Sequence, residues 1–417
     1  MQPRQQRIDA RRARMRNVLL RPATMTQTLS FDDLHAALRA QVDGEFLPGV
    51  ATAVLRGREV VDRFCFGWAD REAGIPLRED HIHRIFSNTK LVTSCAVLLL
   101  MEDARLRLDD PVEAYLPQLA ERRVLRPGAT RLDDTEPART PITLRHLMTH
   151  TAGLTYALFD PGALLPRAYA AAKVQSASTT LAQMVDALAP LPLAFQPGTR
   201  WEYSMATDVL GRVVEVVAGE PFSRFLARRI FEPLGMVDTA FWVPPEKQER
   251  LAALYAGRNL GDPASPGLRR ADDQPWPGAY LQPPVREAGG GGLVSTLDDM
   301  VRLVASLLPG GPMLLQPQTI AQMATNQLPP HLCVHFANRP PQTGRGFGLG
   351  SAVVVKAEAG EPEASVGEVG WGGLAGTVWW FHPRLQIAGV LMTQRYFGSG
   401  GPYALAFKRE AYRALGY

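Results

Sequence analysis

Apolar positions recur along the chain with two periods, and the change from one to the other predicts where strands and helices fall. Ser30-Phe31-Asp32-Asp33-Leu34 reads as an N-cap and first turn, opening a short helix near residues 30–42. Gly49 to Leu55 and Val60 to Trp68 alternate or run apolar around Arg56-Gly57-Arg58, which predicts a hairpin. Residues 88–103 are apolar nearly all round, the mark of a helix buried within the protein. Helical patterns follow at 181–190, 204–218 and 221–233, joined by Pro-rich connections. After a glycine run from Gly289 come a helix at 296–308, strand candidates at 347–356, 376–381 and 386–393, and a final helix at 403–415. Strands at both ends of the chain predict an α/β (α+β) fold: one antiparallel sheet assembled from both termini, flanked by helices, with a helical lobe inserted between its halves. The expected boundaries are a sheet domain over 26–86 and 290–417 and a mainly helical domain over 87–289.

Composition narrows this picture. The chain has 417 residues, 46% apolar and 21% charged, long enough to bury a full core without crosslinks. Cys65, Cys95 and Cys333 are odd in number and far apart, which reads as buried thiols in a reducing, cytoplasmic compartment. The longest apolar run, Cys95 to Met101, is far short of a bilayer span. The net charge of +4 is concentrated in the first 21 residues, where seven arginines face Asp9 alone and leave the remainder at −2. Residues 1–25 are therefore expected to form a basic, disordered arm, and the mildly acidic body argues against nucleic-acid or membrane partners.

Three segments carry candidate chemistry. In Phe86-Ser87-Asn88-Thr89-Lys90, serine and lysine three apart share one helix face, so the lysine nitrogen can reach the hydroxyl. A neutral amine there takes the hydroxyl proton and makes Ser87 a nucleophile; the plainer alternative is a surface ion-pair lysine at a helix start. Pro197-Gly198 turns the chain before Trp201-Glu202-Tyr203-Ser204-Met205, placing Tyr203 at a loop–helix junction, either facing a cleft or half-buried in a core. Trp371-Gly372-Gly373-Leu374 precedes a strand, and its two glycines either admit another backbone closely, as substrate binding along a sheet edge demands, or form a bulge.

In this order and spacing the three segments resemble the serine β-lactamase and penicillin-binding protein superfamily, with its Ser-x-x-Lys, Tyr-x-Asn and Lys-Thr-Gly motifs. The nearest likeness is to the family VIII carboxylesterases, which are similar to class C β-lactamases. Leu144 to Leu154, Gly291 to Thr296 and Gly346 to Gly350 agree with it, and the likeness spans about residues 30–415. The resemblance implies a β-lactamase/transpeptidase-like fold with its site between sheet and helical lobe. It implies Ser87 as nucleophile, Lys90 and Tyr203 as the base, an oxyanion hole of the Ser87 and Leu374 backbone N–H groups, and Trp371, Gly372, Gly373, Met205 and Tyr156 as substrate-binding residues. It implies no cofactor or metal, and a small-molecule ester as the partner.

Two departures bear on the substrate. Met205 stands where β-lactamases have an asparagine, and Trp371 where they have the lysine that holds the substrate carboxylate. A carboxylate entering such a site loses water without a cation opposite it, at a cost of about 1 to 3 kcal/mol. Short-chain neutral esters are therefore expected over β-lactams; the alternatives are an acyltransferase or β-lactam-directed hydrolase on the same scaffold, or a non-catalytic relative used for assembly or sensing, and if β-lactams are opened, an arginine outside these motifs is the first suspect for the missing cation. Other constellations carry less. His81-Ile82-His83 lacks a third metal ligand, His150 reads as structural, and the Gly289–Gly292 run lacks the lysine of a phosphate loop. Cys95 reads as packing, and the absence of Gly-x-Ser-x-Gly counts against an α/β-hydrolase.

Overall fold

The computed structural model describes residues 29–417 except Gly261 and Asn338, so the basic arm expected over 1–25 lies outside the described residues. Its largest element is an eight-stranded antiparallel sheet built from both ends of the sequence. In chain order its strands are β1 (Gly49–Arg56), β2 (Glu59–Asp70), β3 (Ile75–Pro76), β4 (Arg345–Phe347), β5 (Ala352–Val354), β6 (Val369–Gly372), β7 (Val378–His382) and β8 (Ile387–Met392). The spatial order is β4-β5-β6-β7-β8-β1-β2-β3, so the first and last strands in sequence meet at the centre, where Ala53 pairs with Val390.

Period-two alternation divides the central strands between two cores. Ala51, Ala53 and Leu55 of β1 and Ala388, Val390 and Met392 of β8 face the larger core, which also holds helices α2 (Thr89–Glu102) and α4 (Leu297–Ala305). Val50 and Val54 of β1 with Ile387 and Leu391 of β8 face the opposite side, covered by α1 (Asp32–Asp43) and α5 (Pro402–Ala414). Burial on both faces is why these strands read as near-continuous apolar runs. The middle of the chain supplies α3 (Ala206–Ala218), which packs on α2, and several shorter helices around it. Every residue of α2 from Thr89 to Leu100 is buried, as its uniform hydrophobicity predicts. Among the described residues, no helix is long and apolar enough to cross a membrane.

Two details differ from the sequence reading. The strand expected over 347–356 is two, β4 and β5, because Gly348 and Gly350 turn the chain back between them. Gly350 has φ +96°, and a side chain there would collide with Ser94 of α2. The segment before the strand at 376–381 is itself a strand, β6, in which Trp371 pairs with Trp379. It was not legible because Gly370 and Gly372 interrupt the apolar pattern; a Cβ on Gly370 would lie 2.8 Å from the Trp379 carbonyl oxygen, closer than a packed sheet allows.

Candidate active site

Ser87 emerges from a single 3₁₀ turn, Phe86–Asn88, at the mouth of α2. Phe86 holds a left-handed φ of +41°, a conformation costing a bulky residue roughly 1 to 3 kcal/mol. Its ring is fixed against Tyr280 and Tyr396 at centroid distances of 6.0 and 5.8 Å. The strain is thus held by packing at the one turn that delivers Ser87 to the cleft.

Lys90 follows one helical turn later and is almost fully buried. Its Nζ has three oxygen partners: the Gly290 carbonyl at 2.6 Å, Tyr156 Oη at 3.4 Å and Ser87 Oγ at 3.5 Å. The face of Tyr203 lies against it, 4.6 Å from Nζ to the ring centroid. Behind Tyr156 stands Asp208 of α3, 5% exposed, whose Oδ2 accepts from Tyr156 Oη at 3.4 Å and whose Oδ1 accepts from the Gly290 N–H at 3.2 Å. Burial, then the charge of Asp208, pushes the Tyr156 phenol well above its ordinary range, so it remains a neutral donor. Asp208 is thus a buried carboxylate joined to Lys90 through one phenol.

The glycine run packs on the helices around this group. Gly289 offers its carbonyl to Thr93 Oγ1 at 2.8 Å, and Thr89 Oγ1 accepts from the Leu293 N–H at 3.1 Å. A Cβ on Gly290 would collide with Asp208 and come within 2.8 Å of Tyr156 Oη, so only glycine brings its carbonyl to Lys90. The run therefore serves as a wall of the site.

Tyr203 is seated among Trp201, His150, Tyr156, Phe159, Phe336 and Trp371, and its Oη accepts from Trp371 Nε1 at 3.2 Å. Among the described residues no hydrogen bond joins Tyr203 Oη to Ser87 or Lys90, and Tyr203 lines the cleft beside Ser87. His150 fixes the loop: its Nδ1 accepts from the Ser204 N–H at 3.2 Å, and burial holds the imidazole well below its ordinary pKa and hence neutral. On the opposite wall, a side chain at Gly373 would collide with the Ile85 carbonyl, so this glycine is what lets the turn after β6 touch the Ser87 turn. The backbone N–H groups of Ser87 and Leu374 donate to no protein acceptor among the described residues, and both residues line the cleft.

The cleft has two lobes that share Ser87, Tyr203 and Leu374. One, about 340 Å³, runs past Trp371, Gly372 and Phe336; the other, about 350 Å³, runs past Tyr156, Met205, Tyr280 and Trp276. Of the residues expected from the sequence, Trp371 and Gly372 edge the first lobe, while Met205 is 1% exposed and belongs mainly to the core. Tyr156, expected to line a pocket, also touches Lys90. Asp208 went unnoticed, although an acid one turn after Met205, beside Val209 on the apolar face of α3, is the signal that marks it. His83 lies apart from this cleft; its Nδ1 donates to the His81 carbonyl at 3.0 Å, and burial lowers its pKa to about 3.

Comparison with known proteins agrees in extent. The family described as Beta-lactamase matches residues 34–413. Esterase EstB of Burkholderia gladioli is 33% identical over 399 residues, covering 90% of this chain and 96% of that protein. The solved structure of EstCE1, described as a hydrolase with promiscuous acyltransferase activity, superposes with a TM-score of 0.77 at 30% identity over 91% of this chain and 97% of that one. Unliganded simvastatin synthase (LovD) from Aspergillus terreus gives 0.73 at 26% identity over 93% and 99%.

Proposed function

Since the chain belongs to the beta-lactamase family, as a family VIII esterase of that fold, we propose that it is a serine carboxylesterase working through an acyl-enzyme on Ser87. The observation that carries this reading is the contact of the buried Lys90 Nζ with Ser87 Oγ at 3.5 Å, at the mouth of the cleft. In the proposed step Lys90 enters as the neutral amine, with two N–H bonds and one lone pair. The Gly290 carbonyl and Tyr156 Oη take the two N–H groups, because Tyr156 spends its own proton on Asp208. The lone pair is then left for the Ser87 hydroxyl.

The steps follow from that arrangement. Ser87 Oγ attacks the ester carbonyl carbon and its proton passes to Lys90. The oxyanion accepts from the Ser87 and Leu374 N–H groups, donors already in place before charge develops. Collapse breaks the bond to the alcohol oxygen, which takes the Tyr203 proton. The phenolate so formed is held by Trp371 Nε1 and by the Lys90 ammonium over its ring. Water then attacks the acyl carbon and gives its proton to Tyr203, while Ser87 leaves with the proton held on Lys90. Ester and water become acid and alcohol, and each group returns to its starting state.

The substrate reading rests on Trp371, which turns an indole bonded to Tyr203 toward the cleft where a carboxylate-binding lysine would stand. Turnover of p-nitrophenyl acetate and butyrate beside a chromogenic cephalosporin tests it: kcat/KM for the esters is expected about ten- to hundredfold higher. Equal efficiency on the cephalosporin would overturn it, as would fluorophosphonate labelling that persists in Ser87→Ala. Acyl transfer is a second reading, favoured by two lobes of similar volume meeting at Ser87, which leave room for an acyl group and an acceptor together. An added alcohol that yields a new ester in the same assay identifies it.

A further inference from the structure

Three cations, Arg339, Arg345 and Lys408, line the lobe that runs past Trp371. Two of them are neutralised within the protein. Arg345 and Lys408 both pair with Glu361, and Lys408 also pairs with Glu368 at 2.6 Å. Arg339 has no such partner: among the described residues no carboxylate stands within ion-pair distance of its guanidinium. The group lies against Gly400, where a Cβ would come within 2.9 Å of Nη1, so the bare backbone of the 398–401 turn makes room for it. Ser399 and Gln342 line the same lobe, and Ser399 Oγ lies 3.8 Å from where a Cβ on Gly372 of β6 would stand. A lobe that contains the nucleophile, is walled by aromatics and carries an uncompensated guanidinium with neighbouring hydroxyl and amide groups is complementary to an apolar chain ending in an anion.

We propose that Arg339 is the anion-recognising residue of this lobe, and that the preferred substrates include esters bearing a carboxylate at the end remote from the scissile bond. The inference rests on the esterase reading and deepens it. The lysine missing at position 371 would face a carboxylate beside the reacting carbonyl; Arg339, which lines the same lobe against the Gly400 backbone, would meet one farther away. A planar guanidinium can take such a carboxylate through two parallel N–H bonds, which an ammonium cannot. Because Arg339 is exposed, the gain is that of a solvent-screened pair, about fivefold in affinity.

Binding to the Ser87→Ala protein separates this inference from catalysis. Calorimetric titration compares mono-4-nitrophenyl glutarate with 4-nitrophenyl pentanoate, which has nearly the same length and no charge. The glutarate is expected to bind about fivefold tighter, the preference to shrink as salt is raised, to vanish in Ser87→Ala/Arg339→Gln, and to survive in part with Arg339→Lys. Equal binding of the two esters, or a preference that outlasts Arg339→Gln, overturns the proposal; so does an equal loss for both esters, which would make Arg339 a loop anchor only. Wild-type protein that cleaves neither ester would overturn the esterase reading instead, while the binding comparison still decides the role of Arg339.

Discussion

Lys90 donates a 2.6 Å hydrogen bond to the carbonyl oxygen of Gly290, two hundred positions further along the chain, and this is the shortest of the three oxygen contacts its Nζ makes. The bond fixes where the lysine lone pair can point, and it exists because Gly290 lacks a side chain that would meet Asp208 and Tyr156. Gly290→Ala is therefore expected to lower kcat by about 10²-fold through misplacement of Lys90. Its melting temperature should fall by only a few degrees, and KM should change less than kcat. Unchanged kcat would show that the Gly290 carbonyl does not position the base.

Tyr156 and Asp208 act on Lys90 as one unit, since the phenol bonds both. Tyr156→Phe and Asp208→Asn are each expected to reduce kcat/KM by about 10- to 10²-fold, and the double variant by little more than the worse single one. Asp208→Asn also removes the balancing charge, which disfavours the ammonium. The acidic limb of its pH–rate profile, which should move to lower pH, is the readout that a purely structural loss would leave in place.

Tyr203 Oη accepts from Trp371 Nε1, and the residue lines the cleft beside Ser87. A phenol that protonates the leaving oxygen matters most when that oxygen is strongly basic. Tyr203→Phe should therefore slow ethyl butyrate by about 10³-fold and p-nitrophenyl butyrate distinctly less, since nitrophenolate leaves without help. Equal losses on the two esters would assign Tyr203 to packing or to activation of Ser87 alone.

Glu361 pairs with both Arg345 and Lys408, two residues that line the first lobe. Burial works to raise its pKa, but the Arg345 hydrogen bond and the Lys408 charge prevail and hold it at about 2, against an ordinary 4.5. A depressed carboxylate stabilises the fold fully above its unfolded pKa and loses that contribution as pH falls from about 4.5 toward 2. Glu361→Gln should thus cost on the order of 2 kcal/mol at pH 7 and much less at pH 3, as read from urea unfolding at the two pH values. A cost independent of pH would mean that shape, not charge, is what Glu361 supplies.

Elements whose signal is local could be read from the chain directly. The hairpin of β1 and β2, the wholly apolar α2 and the terminal helix α5 were legible because each carries its period in a short stretch, and Ser87 and Lys90 because one helix turn joins them. Residues brought in by glycine were harder to read. Strand β6 is half glycine, so its place in the sheet depends on how closely β7 approaches, which no stretch of β6 itself records. Likewise Gly290, Asp208 and Tyr156 come from three distant segments, and each alone has an ordinary reading as a loop glycine, a helix-start acid and a packing tyrosine. Only the tertiary structure turns them into partners of Lys90, because desolvation makes a buried ammonium require oxygen neighbours and the packing of α2 against α3 and the glycine run decides which oxygens are within reach.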